Sequence, residues 1–445
     1  MRKYEKYKDS NVPWIGEIPE HWDLKRMRFV ARLYNGNSLN DTEKSHYADT
    51  PDDDDSVPYI ASKDIDRDTE FIDYTNGIRI PKNEPDFKVA PAGTSLLCIE
   101  GGSAGKKMGF VNQDVCFVNK LCCFDAVINN KFLYYYIKSK SFWEVFSQNI
   151  QGMIGGVTIS RIKDFVVPVP SDEEQDAIVA YLDKKCAEID KAITTQQQRI
   201  NLLNELRMNT ITDVVLHGIS GEHEYDSSKD MWQTKVSKYR DIMRLKYAIQ
   251  LIDSGVSVNS EQQPACENEL GVLKTSCVSK NVFVPSENKK VLEDEVKRVA
   301  CPVRNKTVIV SRMNTPELVG AAGYIDKDYP NLFLPDRLWC VSFKENLIVP
   351  KYAWYFLISK YAKNYYTSLS TGTSSSMQNI SKGQFENILI PLPSIEAQNR
   401  FVEYLDEKVT RIDSFISNAE LVIGKLRSYR QTLITEVITG KRKVI

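Results

Sequence analysis

The stretch PVPSDEEQDAIVAYLDKKCAEIDKAI (168–193) returns 223 residues later as PLPSIEAQNRFVEYLDEKVTRIDSFI (391–416). Extended to 168–215 and 391–438, the two copies share 19 identities in 48 gap-free positions. Chance would give roughly three identities at average residue usage. Such self-similarity indicates an internal duplication, so the chain is analysed as two related halves.

Each copy of this stretch is predicted to form one long helix. Prolines at its start end the preceding element. Ser171 then serves as N-cap, and Glu174, three residues on, completes a capping box. In the second copy Ser394 can cap, but Ala397 cannot complete the box.

Apolar residues recur at alternating steps of three and four along both copies, which is a heptad seam. About 45 residues without proline favour two helices that pack on each other over a helix on a globular core. Lys185 with Lys408, and Arg207 with Arg430, interrupt the seam at matching positions. Such residues either fix the register at some cost in stability or are solvated. The seam consists of Ile178, Leu182, Ile189, Ile193, Ile200, Leu203 and Val214, matched by Phe401, Leu405, Ile412, Ile416, Ile423, Leu426 and Val437, with Gly218 and Gly440 near the helix ends.

The rest of the chain forms two segments that correspond more weakly. RMRFVARLYNG (26–36) is similar to RLKYAIQLIDSG (244–255), and FLYYYIKSK (132–140) to YAWYFLISK (352–360). Both segments contain β-rich runs, so the predicted fold class is α/β (α+β): two mixed α/β domains alternating with two long helices. The predicted domains are the first α/β segment (1–167), the central helix (168–221), the second α/β segment (222–390) and the C-terminal helix (391–445).

Composition excludes several classes of protein. The 445 residues contain no apolar run long enough to span a membrane, and the polar start lacks the apolar stretch of a signal peptide, so a cytoplasmic protein is expected. Nine scattered cysteines fit reduced, mostly buried thiols, and with four histidines a structural zinc site is not expected; His217 and His223 are better explained as a helix end and a loop. The net charge of −1 argues against a lone, tight DNA binder but permits local phosphate contacts or contacts shared with a partner.

Three motifs of DNA-modifying enzymes are missing. The sequence has no Asn/Asp-Pro-Pro-aromatic motif, with which a methyltransferase holds a flipped base. GGSAGKK (101–107) has the wrong spacing for a P-loop and lacks its magnesium-binding Ser/Thr. No Pro-Asp pair is followed within about 30 residues by the Asp/Glu-x-Lys of many nucleases. The sequence therefore predicts a binding protein without a catalytic site.

Four features together resemble the DNA-specificity subunits of type I restriction–modification systems. They are the opening YKDSNVPWIGEIPEHWDLKRMRFVA (7–31), the exits ISRIKDFVVPVPSDEEQ (159–175) and ISKGQFENILIPLPSIEAQ (380–398), the Tyr-Leu-Asp triplets at 181–183 and 404–406, and the duplication. The resemblance covers nearly the whole chain.

The resemblance implies that each α/β segment is a target-recognition domain for one half of a split DNA sequence. It implies that the helices pair as an antiparallel coiled coil and set the distance between the halves. A helix of about 45 residues is roughly 65 Å long, on the order of two turns of DNA. Because the two segments differ, the target should be asymmetric.

The resemblance also implies partners: double-stranded DNA, two methyltransferase subunits that use S-adenosylmethionine to methylate adenine, and motor-nuclease subunits that complete the restriction enzyme. The chain itself is expected to bind no cofactor and no metal. The alternative is a duplicated coiled-coil adaptor that binds no nucleic acid, which the slightly acidic pI of about 6.5 supports.

DNA contacts are expected from three kinds of loop, since base reading needs Arg, Lys, Asn or Gln at the surface, and phosphate binding also uses Ser, Thr and backbone N–H groups. The loops are 101–107 with its counterpart 311–315, 151–160 with 370–381, and the 62–63 turn with 275–276. For any single residue the alternative is an ordinary surface loop. The candidates are Ser62, Lys63, Ser103, Lys106, Lys107, Arg161, Ser276, Arg312, Asn314, Ser374, Ser375, Gln378 and Lys382.

Aromatic clusters at 134–136 and 354–356 could suggest base stacking, but their recurrence in helical contexts favours core packing. Trp14, Trp22 and the Ile18-Pro19 pair are expected to anchor the N-terminal arm.

Overall fold

The computed structural model describes residues 3–53, 55–152, 155–219, 225–231, 234–237, 241–374 and 377–444. The chain divides into two compact units, and each unit joins one α/β segment to parts of both long helices. The first unit consists of Met1–Gln197 with Leu421–Ile445, and the second of Gln198–Glu420.

Both long helices begin at the predicted serines. Ser171 Oγ accepts a hydrogen bond of 3.3 Å from the N–H three residues on, and Ser394 Oγ accepts its equivalent at 3.3 Å. Just beyond the helices Gly218 and Gly440 have φ of +98° and +73°, a conformation that favours glycine and stops a helix. The helices are Asp172–His217 and Ile395–Ile438.

The predicted capping box at the central helix is wrong in its second half. Glu174 N–H does bond to Ser171, but the Glu174 carboxylate accepts hydrogen bonds from Tyr4 Oη, His21 Nε2 and Trp22 Nε1 of the N-terminal arm. The arm offers this buried carboxylate several donors, whereas the box would have given it one N–H. Trp22 is fully buried there, as expected for an anchor of the arm.

Within each unit, the two long helices pack along the predicted seam. In the first unit Ile178 and Leu182 share one core with Val437. In the second unit Val214 shares a core with Leu405. Each such side chain, once buried, contributes about 1.5–3 kcal/mol, so the seam binds the helices to each other and to the segment they carry.

Two ion pairs connect the helices at matching positions. Arg430 Nη1 lies 2.5 Å from Asp190 Oδ1 in the first unit, and Arg207 Nε lies 3.4 Å from Asp413 Oδ1 in the second. The two pairs are images of each other under the 223-residue repeat. The arginines that interrupt the seam therefore pair across it, while Lys185 pairs on its own helix with an exposed glutamate.

The first sheet of each α/β segment is antiparallel with four strands, in the same order in both segments. Its outer strand follows a short helical turn, Met27–Val30 or Leu245–Tyr247. In spatial order the strands are Ala31–Asn35, Leu121–Ala126, Ser95–Cys98 and Met108–Phe110, and correspondingly Ile249–Ser254, Leu338–Phe343, Val308–Ser311 and Ala322–Tyr324.

The second sheet also has four strands in one shared order, and its two central strands are parallel in both segments. A two-stranded antiparallel pair then closes each segment just before its long helix. The second-sheet strands are Arg79–Pro81, Ser56–Ile60, Val115–Phe117 and Val89–Ala90, and Asn288–Lys290, Gly271–Leu273, Tyr329–Phe333 and Pro302–Val303; the closing pairs are Asp23–Arg26 with Val166–Val169, and Asp241–Arg244 with Leu389–Leu392.

The remaining elements are short. The further helices are Asp41–Ala48, Asn130–Lys138, Lys140–Gln148 and Ile159–Ile162 in the first segment and Pro350–Leu357, Lys360–Leu369 and Lys382–Glu386 in the second, with 3₁₀ turns at Ser62–Asp64, Thr275–Val278 and Glu293–Arg298. The further strands are Tyr7–Asp9 and Glu17–Pro19 in the arm, and Tyr225–Met231, Thr234–Ser237, Met313–Asn314, Thr371–Ser374 and Met377–Asn379.

Each segment is fixed to its long helices by one repeated set of contacts. In the first unit Lys131 Nζ and Tyr135 Oη lie 2.6 and 2.8 Å from the Asp183 carboxylate. In the second unit the same lysine and tyrosine positions bond to Asp406, at 2.7 and 2.6 Å. The aspartates of the Tyr-Leu-Asp triplets thus accept the hydrogen bonds that attach the two segments to the long helices.

A threonine of the other long helix completes the attachment. The backbone N–H of Lys140 donates to Thr435 Oγ1 at 2.9 Å, and that of Lys360 donates to Thr212 Oγ1 at 2.9 Å. Both bonds come from the first residue of a helix, whose N–H has no partner within that helix. Each segment is therefore tied to both long helices.

Aromatic and cysteine side chains are largely internal. The clusters at 134–136 and 354–356 lie on helices and pack in the cores, as predicted, with Tyr136 and Phe356 fully buried. All nine cysteines are free thiols; Cys266 is exposed and Cys301 half-buried. The buried ones are Cys98, Cys116, Cys122, Cys123, Cys186, Cys277 and Cys340.

Candidate nucleic-acid interface

In the first segment, the three predicted loops come together. Gly101 N–H donates to the Gly155 carbonyl at 2.7 Å, which joins loop 101–107 to loop 151–160. Lys107 Nζ donates to the Ser62 carbonyl at 2.8 Å, which joins the same loop to the 62–63 turn. The sequence identified these loops separately, and the fold makes one surface of them.

The cations of this surface have different roles. Lys63 and Lys106 are exposed and available to a ligand. Lys107 is half-buried and holds the turn through its bond to the Ser62 carbonyl. The carbonyl of Ser103 accepts the N–H groups of both lysines of the loop, at 3.0 and 3.3 Å, which fixes the loop as a tight turn. Gly105, with φ of +71°, has no room for a side chain, because a Cβ would lie 2.4 Å from the Trp143 ring.

A cavity of about 740 Å³ opens beside these loops, and amide side chains are among the residues that line it. Asn35, Asn149 and Gln151 line it together with Thr158 and Arg161. Amides and guanidinium groups are the side chains that read base edges by paired hydrogen bonds. The polar part of the lining therefore contains side chains of the kind that read base edges.

Arg161 is the best-positioned cation of this cavity. It is exposed and lies on the short helix Ile159–Ile162, whose last residue is fully buried and fixes the helix to the core. Its Nη1 lies 3.5 Å from Asn149 Oδ1, which orients the guanidinium. Asn149 precedes the predicted loop by two residues, and Asn35 ends a strand, so nothing in the sequence identified either of them.

The strand that leads into the interface carries no charge at its end. Burial raises the pKa of the Cys98 thiol, which donates a hydrogen bond of 3.4 Å to the Glu100 carbonyl. The thiol is therefore neutral and acts as a packing group.

In the second segment two predicted loops are partly strands, which corrects the sequence interpretation. Asn314 pairs with Gln378, and Met313 with Asn379, in a three-stranded antiparallel sheet that also contains Thr371–Ser374. Polar, serine-rich composition suggested loops, but backbone pairing satisfies N–H and carbonyl groups whatever the side chains. The two stretches are brought together, as their counterparts are in the first segment.

Several predicted residues of the second segment bond within the protein. Arg312 Nε donates to the Asp336 carbonyl at 2.7 Å, and Asn314 Nδ2 to Ser311 Oγ at 3.3 Å. Ser276, in the expected turn, donates from Oγ to Glu287 Oε2 at 2.6 Å.

The other candidates of this segment are Lys382, Gln378 and two serines of the stretch 370–381. Lys382 is exposed, with Glu386 at 3.9 Å, and Gln378 is half-buried. Ser375 and the side chain of Ser374 lie outside the described residues, as does His223. His217 Nδ1 lies 2.7 Å from Asp213 Oδ1 on the same helix.

Among the described residues no three His, Cys, Asp or Glu side chains are grouped as metal ligands. No helix in the described part of the chain has the length and apolar character needed to cross a membrane.

Two α/β segments of one topology, with the same attachments to paired long helices and different polar loops, define a duplicated recognition protein. The sequence matches the family described as the type I restriction modification DNA specificity domain, over residues 19–205 and 268–418. The chain belongs to this family.

Relatives of known name agree with this assignment. The chain is 24% identical over 454 residues to the type I restriction enzyme MjaVIII specificity subunit of Methanocaldococcus jannaschii, covering 98% of this chain and 97% of that protein. It is 18% identical to the EcoBI specificity subunit of Escherichia coli, with 97% and 89% covered. The fold is similar, at a TM-score of 0.66 and 16% identity, to a chain solved in work on assembly and conformational transition of the type I R-M system, with 95% and 98% covered.

Proposed function

We propose that this chain reads a bipartite, asymmetric DNA target for a type I restriction–modification complex. In this proposal segments 1–167 and 222–390 each recognise one half of the target, and helices 168–221 and 391–445 set the unread gap. One observation carries the proposal: the two segments share topology and attachments, while their surface loops differ in sequence and structure. Two segments that have the same topology but different surface loops are suited to two different half-sites.

The proposed partners follow from the family and the duplication. Two methyltransferase subunits bind the chain and supply S-adenosylmethionine for adenine methylation, and motor-nuclease subunits complete the restriction enzyme. This chain contributes recognition and assembly, without a cofactor of its own. The repeated helices, at 46 and 44 residues, support a partner that is bound twice.

The test is a base-resolution methylome of the host with and without the gene. We expect a split, asymmetric adenine-methylation motif to disappear on deletion. Exchange of residues 1–167 for those of another family member should then change one half of the motif and leave the other unchanged. An unchanged methylome, with the methyltransferase expressed, would instead favour the adaptor without nucleic-acid binding.

Arg161→Ala is expected to weaken binding of the assembled complex to its target by about tenfold to a hundredfold, since a paired Arg–base contact is worth about 1–3 kcal/mol. Discrimination at one base pair should be lost as well. Fluorescence anisotropy with the target and its single-base variants measures both effects. Lys191→Ala, an exposed cation on the central helix, is the matched control.

The salt dependence separates two roles for Arg161. Equal weakening on every sequence, with the salt slope lower by about one, would assign it to a phosphate. If Arg161→Ala behaves like Lys191→Ala in both measurements, Arg161 has no part in the interface.

A further inference from the structure

An exposed aromatic residue occupies the same place in both α/β segments. Phe29 is 66% exposed and Tyr247 is 54% exposed, each in the short helical turn before the outer strand of the first sheet. Met27 and Val30 of the first turn are buried, as are Leu245 and Ala248 at the second, so the aromatic ring lies on the outer side of each turn. The sequence comparison 26–36 with 244–255 places the two rings at equivalent positions.

A second apolar side chain accompanies each ring. In the first segment Val127 is 75% exposed, and with Phe29 and Leu33 it lines a groove of about 630 Å³. In the second segment Leu251, four residues after Tyr247, is 47% exposed, whereas its sequence counterpart Leu33 is buried. The composition of the two patches differs, but each presents an aromatic and an aliphatic group to solvent.

Cations surround both patches. Arg28, Arg32 and Lys163 line the groove of the first segment. In the second segment Lys246 Nζ lies 5.1 Å from the centre of the Tyr247 ring, and Lys344 Nζ donates to the Tyr247 carbonyl at 3.0 Å.

An arginine that precedes each turn makes a bond that is repeated in the two segments. Arg26 donates to Asp164 Oδ1 at 3.2 Å, and Arg244 donates to Asn387 Oδ1 at 3.4 Å. This surface bond beside the turn is therefore retained in both copies.

The duplication indicates which kind of partner this surface contacts. Loops that face different half-sites differ between the segments, whereas a surface retained in both copies faces something that both copies meet. DNA phosphates and a repeated protein partner satisfy that condition. Exposed aromatic and aliphatic groups favour the protein, because phosphates offer no apolar surface to cover them, and aromatic residues with arginine are typical of protein interfaces.

We propose that the Phe29 and Tyr247 patches are two equivalent docking sites, each for one copy of the methyltransferase subunit. The partner presents an apolar side chain surrounded by Asp or Glu, which complements the ring and the cations. This inference rests on the proposed function, because it assigns a surface to a partner named there.

The test uses the full chain co-purified with its methyltransferase subunit, and the mass of the complex gives the subunit ratio. Phe29→Ala with Val127→Thr should leave one methyltransferase subunit per chain, as should Tyr247→Ala with Leu251→Thr. The fourfold variant should retain none. Phe71→Ala, at 64% exposure in the first segment, should keep both subunits. Circular dichroism melting checks that each variant is folded.

Two outcomes would overturn the assignment. Folded variants that keep two methyltransferase subunits with unchanged affinity would exclude docking at these patches. Variants that keep both subunits but lose DNA affinity would assign the patches to DNA. Failure of the wild-type chain to bind any methyltransferase subunit would refute the proposed function itself, and that result is visible before any variant is made.

Discussion

Replacement of Gly36 or Gly255 by alanine is expected to lower the free energy of unfolding by about 3 kcal/mol, the upper end of the cost of overpacking. A Cβ at Gly36 would lie 1.7 Å from the Phe117 carbonyl oxygen, and at Gly255 1.5 Å from that of Leu334. Both obstacles are backbone atoms, so a side-chain rotation cannot relieve the clash. Urea unfolding of the full chain measures the change.

The reason lies in how the two sheets of each segment meet. Gly36 follows the outer strand of the first sheet, and the next residue, Asn37, donates its N–H to the Phe117 carbonyl of the second sheet at 2.9 Å. Only a residue without a side chain allows the chain to pass so close. Gly383→Ala, which meets no atom within 4 Å, is the control and should leave stability nearly unchanged. Equal midpoints for Gly36→Ala and Gly383→Ala would refute this account.

Glu174→Ala is expected to cost about 3 kcal/mol and to release the N-terminal arm. The buried carboxylate accepts from Trp22 Nε1 and His21 Nε2, both at 3.0 Å, and from Tyr4 Oη, and its removal leaves buried donors without a partner. Burial, and then Glu174 itself, raise the pKa of Tyr4, so its hydroxyl stays a donor.

Limited proteolysis and urea unfolding check this prediction. We expect faster cleavage within the first 22 residues for Glu174→Ala, and an intermediate effect for Glu174→Gln. Glu173→Ala, the adjacent exposed glutamate, is the matched control. If the two alanine variants were cleaved at the same rate, the carboxylate would not be what holds the arm.

Features set by neighbouring residues were predictable from the sequence. The serine caps depend on a hydrogen bond over three residues, and the seam depends on helical periodicity, so Ser171, Ser394 and the long helices followed from local patterns. The repeat also indicated one long-range feature. Arg207 and Arg430 interrupt the seam at matching positions, and each pairs with an aspartate of the other long helix.

Features set by distant contacts were not predictable. The local pattern places Glu174 in a capping box, because the N-terminal arm that donates hydrogen bonds to its carboxylate lies about 150 residues away in sequence. Asn35 ends a strand and Asn149 follows a helix, and only the tertiary fold brings these distant residues to one cavity. The pairing of Asn314 with Gln378 likewise joins stretches whose composition indicated loops. The site residues themselves stay predictions until DNA binding is measured.

The first unit is made of two separate stretches of chain, and this affects the order in which the two units can fold during synthesis. Its N-terminal arm is fastened to the last turn of the chain, where Tyr7 Oη donates to the Gly440 carbonyl at 3.2 Å. The second unit, by contrast, is one continuous stretch of chain. A nascent chain generally folds from its N-terminus onward. Here the ribosome has finished every residue of the second unit before it makes the last 25 of the first, so the half that is translated first is the half that matures last.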